Sequence, residues 1–269
     1  MTLTPRVRLR AGAVSDTGAH RAVNQDAAFT APWGGAVADG VGGGPAGDLA
    51  SSAFVHRLAA GNIGPVDAEN LGVSVRTANW DLRAHVERDP ALHGMATTFT
   101  GLFVSQTGDL LLAHTGDSRA YLLRDGVLTQ QTRDDSYVQA LVDRGLVAAE
   151  DAATHPRRNL ITASLSGGER DTVMVAEVAA QPGDRWLLCS DGLSDYVPHA
   201  VLSEIVTQHS SPDDAAAAAV AMGLEAGSRD NVTAVICDID FDDDAPASRA
   251  PAAFYGAAAL RFTEGLETA

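Results

Sequence analysis

The chain has 269 residues, 45% of them hydrophobic and 20% charged, enough for one large or two small globular domains with a substantial core. Thirty-five acidic residues stand against 19 basic ones, a formal charge of −16, and every basic residue is arginine. So acidic a chain is a poor partner for nucleic acid or an anionic membrane. The sequence shows no apolar leader and no apolar run of membrane-spanning length, so the expectation is a cytoplasmic protein. Cys189 and Cys237 each sit inside an apolar run and read as buried core thiols.

In chain order, Val7 to Ser15 alternates loosely and reads as a strand, with Asp16-Thr17-Gly18 as its turn. A polar cluster, Arg21 to Asp26, separates it from the apolar run Gly35 to Ala38, which delivers Asp39 into Gly40-Val41-Gly42-Gly43. Ala46 to Ala60 reads as a helix, helix-like from about Pro45, with Leu49, Ala53 and Leu58 inward; Asn62 to Pro65 connects it onward. Asp67 to Arg88 reads as a longer helix with Leu71, Val75, Ala78, Leu82 and Val86 on one face, stopped by Asp89-Pro90. Three strands at Thr97–Val104, Asp109–His114 and Arg119–Leu123 form an antiparallel meander, closed by the hairpin signal Arg124-Asp125-Gly126. Ser136 to Arg144 reads as a short helix stopped by Gly145, and Ala149 to Ser166 as a surface loop or flap. Strands at Val173–Val178 and Arg185–Ser190 precede helices at Val201–Gln208 and Pro212–Ala226, the second with Ser211 as its N-cap. Strand Val232 to Ile239 closes the domain. After Phe241 the composition turns acidic and then Ala/Pro-rich; Ala252 to Phe262 has the length of a short helix but reads better as a partly ordered tail. Paired helices among hairpinned strands predict an α+β fold, antiparallel sheets with helices packed outside, and disfavour a doubly wound parallel sheet. The sequence has no glycine-rich phosphate-loop signature and no lysine at all, which disfavours a nucleoside-triphosphate-binding fold. Trp80 and Trp186 read as core residues.

Three carboxylates stand at strand mouths. Asp39 and Asp191 each end an apolar run and precede glycine, and Asp230 stands just before the last strand. Any one alone is ordinary turn or cap chemistry; together they point to a hard cation held by oxygen, Mg²⁺ or Mn²⁺. Such ions lower the pKa of water and neutralise phosphate charge. A substrate phosphate would then need a cation, and Arg21 lies just ahead of the carboxylate Asp26.

These residues carry a family resemblance. Ser15-Asp16-Thr17-Gly18 with Arg21 to Asp26, Ala38 to Gly43, Met95-Ala96-Thr97-Thr98, His114 to Tyr121, Cys189 to Asp195, and Ser228 to Thr233 follow one another in the order found in the metal-dependent protein phosphatases. The chain resembles the compact bacterial form of this type 2C serine/threonine class over roughly residues 6 to 240. The resemblance implies a central antiparallel β-sandwich flanked by pairs of helices, four layers in all, with a catalytic domain at 1–241 and a tail at 242–269. It implies that Asp39 bridges two Mn²⁺ or Mg²⁺ ions with help from the Gly40 carbonyl, and that Asp191 and Asp230 hold the other ligand positions. Arg21 would grip the substrate phosphate and Asp26 would orient water; Asp117 and Asp195 match the ligands of a third ion. Arg133 to Gly168 corresponds to a variable flap, whose Arg157 and Arg158 either steer phosphoprotein or are merely solvated.

Two departures stand out. Gln25 replaces the usual glutamate ahead of Asp26, which removes a negative charge and implies weaker metal binding or slower turnover. Val41 stands where some eukaryotic members carry a histidine, as is common among bacterial ones. His20 and His114 flank site motifs but lack a paired ligand at metal spacing, and the other histidines read as helix-face or loop residues. The activity implied is removal of phosphate from serine and threonine of phosphorylated proteins by a monomeric enzyme, with a serine/threonine kinase as its opposing partner. The alternative is a phosphatase fold weakened in catalysis that binds phosphoproteins as a regulatory module, for which Gln25 is the support. A Ca²⁺-binding structural domain would account for the acids but not for Arg21.

Overall fold

The computed structural model describes residues 6–41, 46–61, 64–242 and 250–261. Gly42-Gly43, Pro45, part of the connector after the first helix and most of the tail lie outside the described residues. Two antiparallel sheets stack face to face. One runs β1 (Arg6–Asp16), β11 (Val232–Asp242), β10 (Arg185–Cys189), β7 (Arg119–Arg124) and β8 (Val127–Gln130). The other runs β12 (Ala253–Gly256), β2 (Asp26–Ala31), β3 (Gly34–Val41), β5 (Phe99–Val104), β6 (Leu110–Thr115) and β9 (Met174–Val178), with the short β4 (Ala96–Thr97) paired to the end of β3.

The strands read as continuous apolar runs because both of their faces are buried. Successive side chains of a strand point to opposite faces. On β10, Trp186 and Leu188 enter the core between the sheets, while Leu187 and Cys189 face outward under helices. On β11, Val235, Cys237 and Ile239 point inward and Ala234 and Ile236 outward. Helices α1 (Gly47–Gly61) and α2 (Ala68–Arg88) cover the second sheet, with Phe54, Leu58, Leu71 and Leu82 against Phe29, Phe99 and Phe103. Helices α5 (His199–Gln208) and α6 (Pro212–Glu225) cover the first. The result is the expected four-layer α-β-β-α sandwich. Burying each of these aromatic and aliphatic side chains contributes about 1.5–3 kcal/mol.

The helix starts follow their caps. Asp67 accepts from the Asn70 amide at 2.8 Å to open α2, and Ser136 accepts from Gln139 to open α3 (Tyr137–Asp143). Gly145 stops α3 in the left-handed region, at φ +67°. Between α3 and β9 the chain makes a 3₁₀ stretch (Ala149–Thr154) and irregular turns, as expected of a flap.

Three expectations differ. Trp80 is 63% exposed on the outer face of α2, because Ala78 and Leu82 supply the buried stripe there; Trp186 is fully buried as expected. The run Thr97–Val104 is interrupted at Thr98, whose amide donates to the Asp39 carbonyl and whose hydroxyl accepts from the Asp39 amide, leaving two strands. Ala253–Gly256 is a strand on the edge of β2 and the chain turns helical only at 257–261, so the short helix starts later than expected and the segment is no loose tail, since Phe254, Ala257 and Ala258 find apolar cover against α1. Both cysteines are buried free thiols, and burial pushes both up to about 12. Among the described residues no helix is long and apolar enough to cross a membrane.

Candidate active site

The site is built where strands of both sheets end together. Strands β2 and β3 pair so that Asp26 lies directly opposite Asp39. Two like charges in that position repel, so the pairing is tolerable only if one is protonated or a cation intervenes. Asp26 is 1% exposed. Its Oδ2 accepts from the hydroxyls of Ser190 and Thr233, both at 2.7 Å, while its Oδ1 is buried without a donor. Burial raises Asp26 to about 6, against the two hydroxyls that lower it. Burial also holds Asp39 well above the ordinary carboxylate range, reinforced by the charges of Asp26, Asp191, Asp117 and Asp230.

Asp191 comes from the other sheet. β10 ends at Cys189, Ser190 follows as N-cap, and Asp191 opens the single turn α4 (Asp191–Ser194). Its Oδ1 is also buried without a partner, and burial with the charges of Asp117, Asp195 and Asp230 raises its pKa strongly. Asp117, in the turn between β6 and β7, is raised to about 7 by burial and by Asp134 and Asp195. Asp230 stands just before β11; its Oδ2 accepts from the Arg21 guanidinium at 2.6 Å and its Oδ1 from the Asn231 amide. Arg21 also donates to the Arg229 carbonyl.

Arg21, Gln25, Asp39, Gly40, Val41, Thr98, Asp117, Asn159, Ile161, Asp191 and Asp230 line one cavity of 230 Å³. The residues expected for the two-ion centre and the phosphate grip are therefore together, with Asp26 buried behind Asp39. Asp195 lies to the side, 3.7 Å from Arg119 and 3.6 Å from Arg158. Arg157 rests over the Tyr137 ring at 5.6 Å. Neither flap arginine is merely solvated.

Gly40 and Gly47 explain the glycines of this stretch. A Cβ on Gly40 would collide with the Gly47 backbone, and one on Gly47 would lie 3.0 Å from the Gly40 carbonyl oxygen and 2.9 Å from the Gln25 side-chain Nε2. The start of α1 thus seats directly on the strand carrying Asp39.

Several residues given no role by sequence reasoning hold the site. The Asn231 side chain accepts from the Gln25 amide and donates to the Thr17 and Val23 carbonyls, fixing the loop that carries Arg21. Ser15 shares a 2.7 Å hydrogen bond with Thr233 and accepts from Asn24. The available signal was a small hydroxyl at each buried strand end, where a polar group needs a partner.

As they stand, no three acidic, cysteine or histidine side chains among the described residues are poised to close on one ion. The donor set nevertheless fits a hard divalent cation: it is all oxygen, it includes two buried carboxylate oxygens without donors, and Asp39 and Asp191 are raised by burial and, secondarily, by the neighbouring carboxylates. Arg21 is the cation that meets Asp230 in this state.

The chain is similar to known proteins over most of its length. The chain is 41% identical over 239 residues to the serine/threonine protein phosphatase PstP of Mycobacterium tuberculosis, a match covering 87% of this chain and 46% of PstP. It is 33% identical over 211 residues to the serine/threonine phosphatase Stp of Listeria monocytogenes, covering 76% of this chain and 83% of Stp. The chain belongs to the bacterial metal-dependent serine/threonine protein phosphatases. Among solved members of the family, the catalytic domain of PstP in complex with two manganese ions superposes with a TM-score of 0.78 at 40% identity, over 87% of this chain and 99% of that one. The chain spans about half the length of the mycobacterial relatives it matches. No protein-family model matches it.

Proposed function

We propose that this chain is a metal-dependent phosphatase that removes phosphate from phosphoserine and phosphothreonine of proteins. The observation that carries the reading is the convergence of Asp39, Asp191 and Asp230 on one cavity, beside Arg21 and in front of a buried Asp26 with one free oxygen. The two manganese ions of the PstP catalytic domain support the same reading. Asp39, the Gly40 carbonyl, Asp191 and Asp230 would hold two Mn²⁺ or Mg²⁺ ions, and Asp117 with Asp195 a third. When bound, such ions neutralise phosphate charge and make hydroxide available near neutral pH.

The chain's own residues do the rest. Arg21 exchanges Asp230 for the substrate phosphate, where its planar fork matches two phosphate oxygens. Asp26 accepts a proton at Oδ1 from the attacking water, with Ser190 and Thr233 fixing Oδ2 so that the carboxylate cannot rotate. Attack is direct, with no covalent enzyme intermediate. Asn159 and Ile161 bring the flap to the cavity wall, where the phosphoprotein backbone would pass. The partners this activity implies are a serine/threonine kinase and its substrates, met by a monomer in the cytoplasm.

Phosphate release from a phosphothreonine peptide, measured with Mn²⁺, with Mg²⁺ and with chelator, tests the proposal. Release that requires metal and collapses in Asp191→Asn is expected, and Gln25→Glu should speed it. A silent wild type with an active Gln25→Glu would favour the phosphoprotein-binding module instead.

A further inference from the structure

We infer that residues 250–261 form a strap that positions the two site strands, with Gly256 and Arg261 as its positioning residues. β12 adds antiparallel to the outer edge of β2, from Ala253 opposite Thr30 to Gly256 opposite Ala27. Without it, β2 would be the open edge of its sheet, and β2 begins with Asp26. The strap is anchored along its length. Trp33 donates to the Ala250 carbonyl at 3.4 Å, Tyr255 shares a 3.3 Å hydrogen bond with Thr30, and the Phe254 ring lies 4.0 Å from His56. His56 also reaches the Ala258 carbonyl at 2.8 Å, and Ala257 and Ala258 are buried.

Its two ends touch the two backbone segments that matter. Gly256, at φ +62°, sits against the Asp26 carbonyl. A Cβ there would collide with that carbonyl and come 2.7 Å from the hydroxyl of Ser15, which bonds to the Thr233 hydroxyl holding Asp26. Arg261 forks onto Asp48, its Nε at 3.1 Å, in the first turn of α1. Asp48 follows Gly47, the residue seated on Gly40. One strap therefore bears on Asp26 from its outer edge and on Gly40 through the start of α1. It acts on the site through these backbones and touches no substrate. The effect on metal affinity rests on the function proposed above; the effect on strand order does not.

The test uses the full chain and three variants, Gly256→Ala, Arg261→Gln and Arg261→Lys. Amide hydrogen exchange in chelator is followed at Ala27–Thr30 and Asp48–Ser51, with Leu187–Cys189 of the other sheet as reference, and Mn²⁺ alone is titrated by calorimetry. Faster exchange confined to the first two segments is expected in Gly256→Ala and Arg261→Gln, with Mn²⁺ bound roughly tenfold more weakly, as for other outer supports of a metal site. Arg261→Lys should recover part of both. Unchanged exchange and affinity in Arg261→Gln would overturn the proposal, as would an equal rise in exchange across both sheets, the mark of a merely structural role. If the unmodified chain takes up no Mn²⁺, the metal reading fails and the exchange pattern alone decides the strap. If Gly256→Ala does not fold, Arg261→Gln decides it.

Discussion

Asp26 depends on two hydroxyls that lie on the other sheet. Ser190 and Thr233 both donate to its Oδ2, and the Ser190 hydroxyl accepts in turn from the Thr233 amide at 3.1 Å. Replacing Ser190 by alanine removes a donor to a buried carboxylate and leaves that amide without its partner. Activity should fall about 10–100-fold, the usual cost of an outer support, with little loss of secondary structure by circular dichroism. Arg21 gives a sharper contrast. Its pair with Asp230 is 40% and 26% exposed, so Arg21→Ala should change stability by less than about 1 kcal/mol. The same variant should raise KM for a phosphopeptide while leaving Mn²⁺ affinity equal or better, because Asp230 is freed; steady-state kinetics beside calorimetry checks the split. Gln25 has its amide and carbonyl engaged with Asn231, Ser51 and Gly40, so its backbone is held whatever the side chain. Glutamate should therefore fit there without refolding the loop.

At the scale of elements, the Asn231 side chain ties three points of the loop from Thr17 to Gln25. Asn231→Ala leaves an amide and two carbonyls without a partner, a cost of about 1–3 kcal/mol for each that stays buried. Arg21 should then become mobile, seen as a rise in KM larger than the loss in Tm would suggest. Trp80 offers the opposite case. Exposed on α2, it should accept glutamine with a change within about 0.5 kcal/mol by denaturant unfolding. Periodicity along α2 correctly named Leu71, Val75, Ala78 and Leu82, but hydrophobicity alone misassigned Trp80, which lies off that stripe. Strands were legible because their apolar runs stand between polar, glycine-containing stretches such as Arg124-Asp125-Gly126, and Asp39, Asp191 and Asp230 because each stands at the end or the start of such a run. What sequence could not supply was which distant segments meet. Nothing local to Ala253–Gly256 says that its partner is β2, 227 residues away at the Tyr255–Ala28 pair.

The molecule as a whole concentrates acid at one end of the sandwich. Asp26 is raised to about 6 and Asp117 to about 7 from 3.8, with Asp39 and Asp191 also raised, chiefly by burial. A folded-state pKa above the unfolded one means that the folded chain holds protons that the unfolded chain releases. The stabilisation is complete below about pH 3.8 and is lost as pH rises through 6 to 7. His114, buried between Thr100 and the Arg133 carbonyl, is lowered by burial and acts in the other direction, costing stability as pH falls below 6.5. With these carboxylates, and Asp195 raised by burial beside them, against one imidazole, the chelated protein should melt at a lower temperature at pH 8 than at pH 6. A hundredfold excess of Mn²⁺ over its Kd at pH 8 should raise Tm by roughly 5–10 °C.

The most direct test of the account is the stoichiometry of Mn²⁺ at pH 7.5, by calorimetry on the metal-free chain and on Asp39→Asn. At least two ions per chain are predicted for the unmodified protein, with both core ions lost or much weakened in Asp39→Asn. A folded chain that takes up no Mn²⁺, or one whose uptake Asp39→Asn leaves unchanged, would contradict the central claim that these carboxylates are gathered to hold metal.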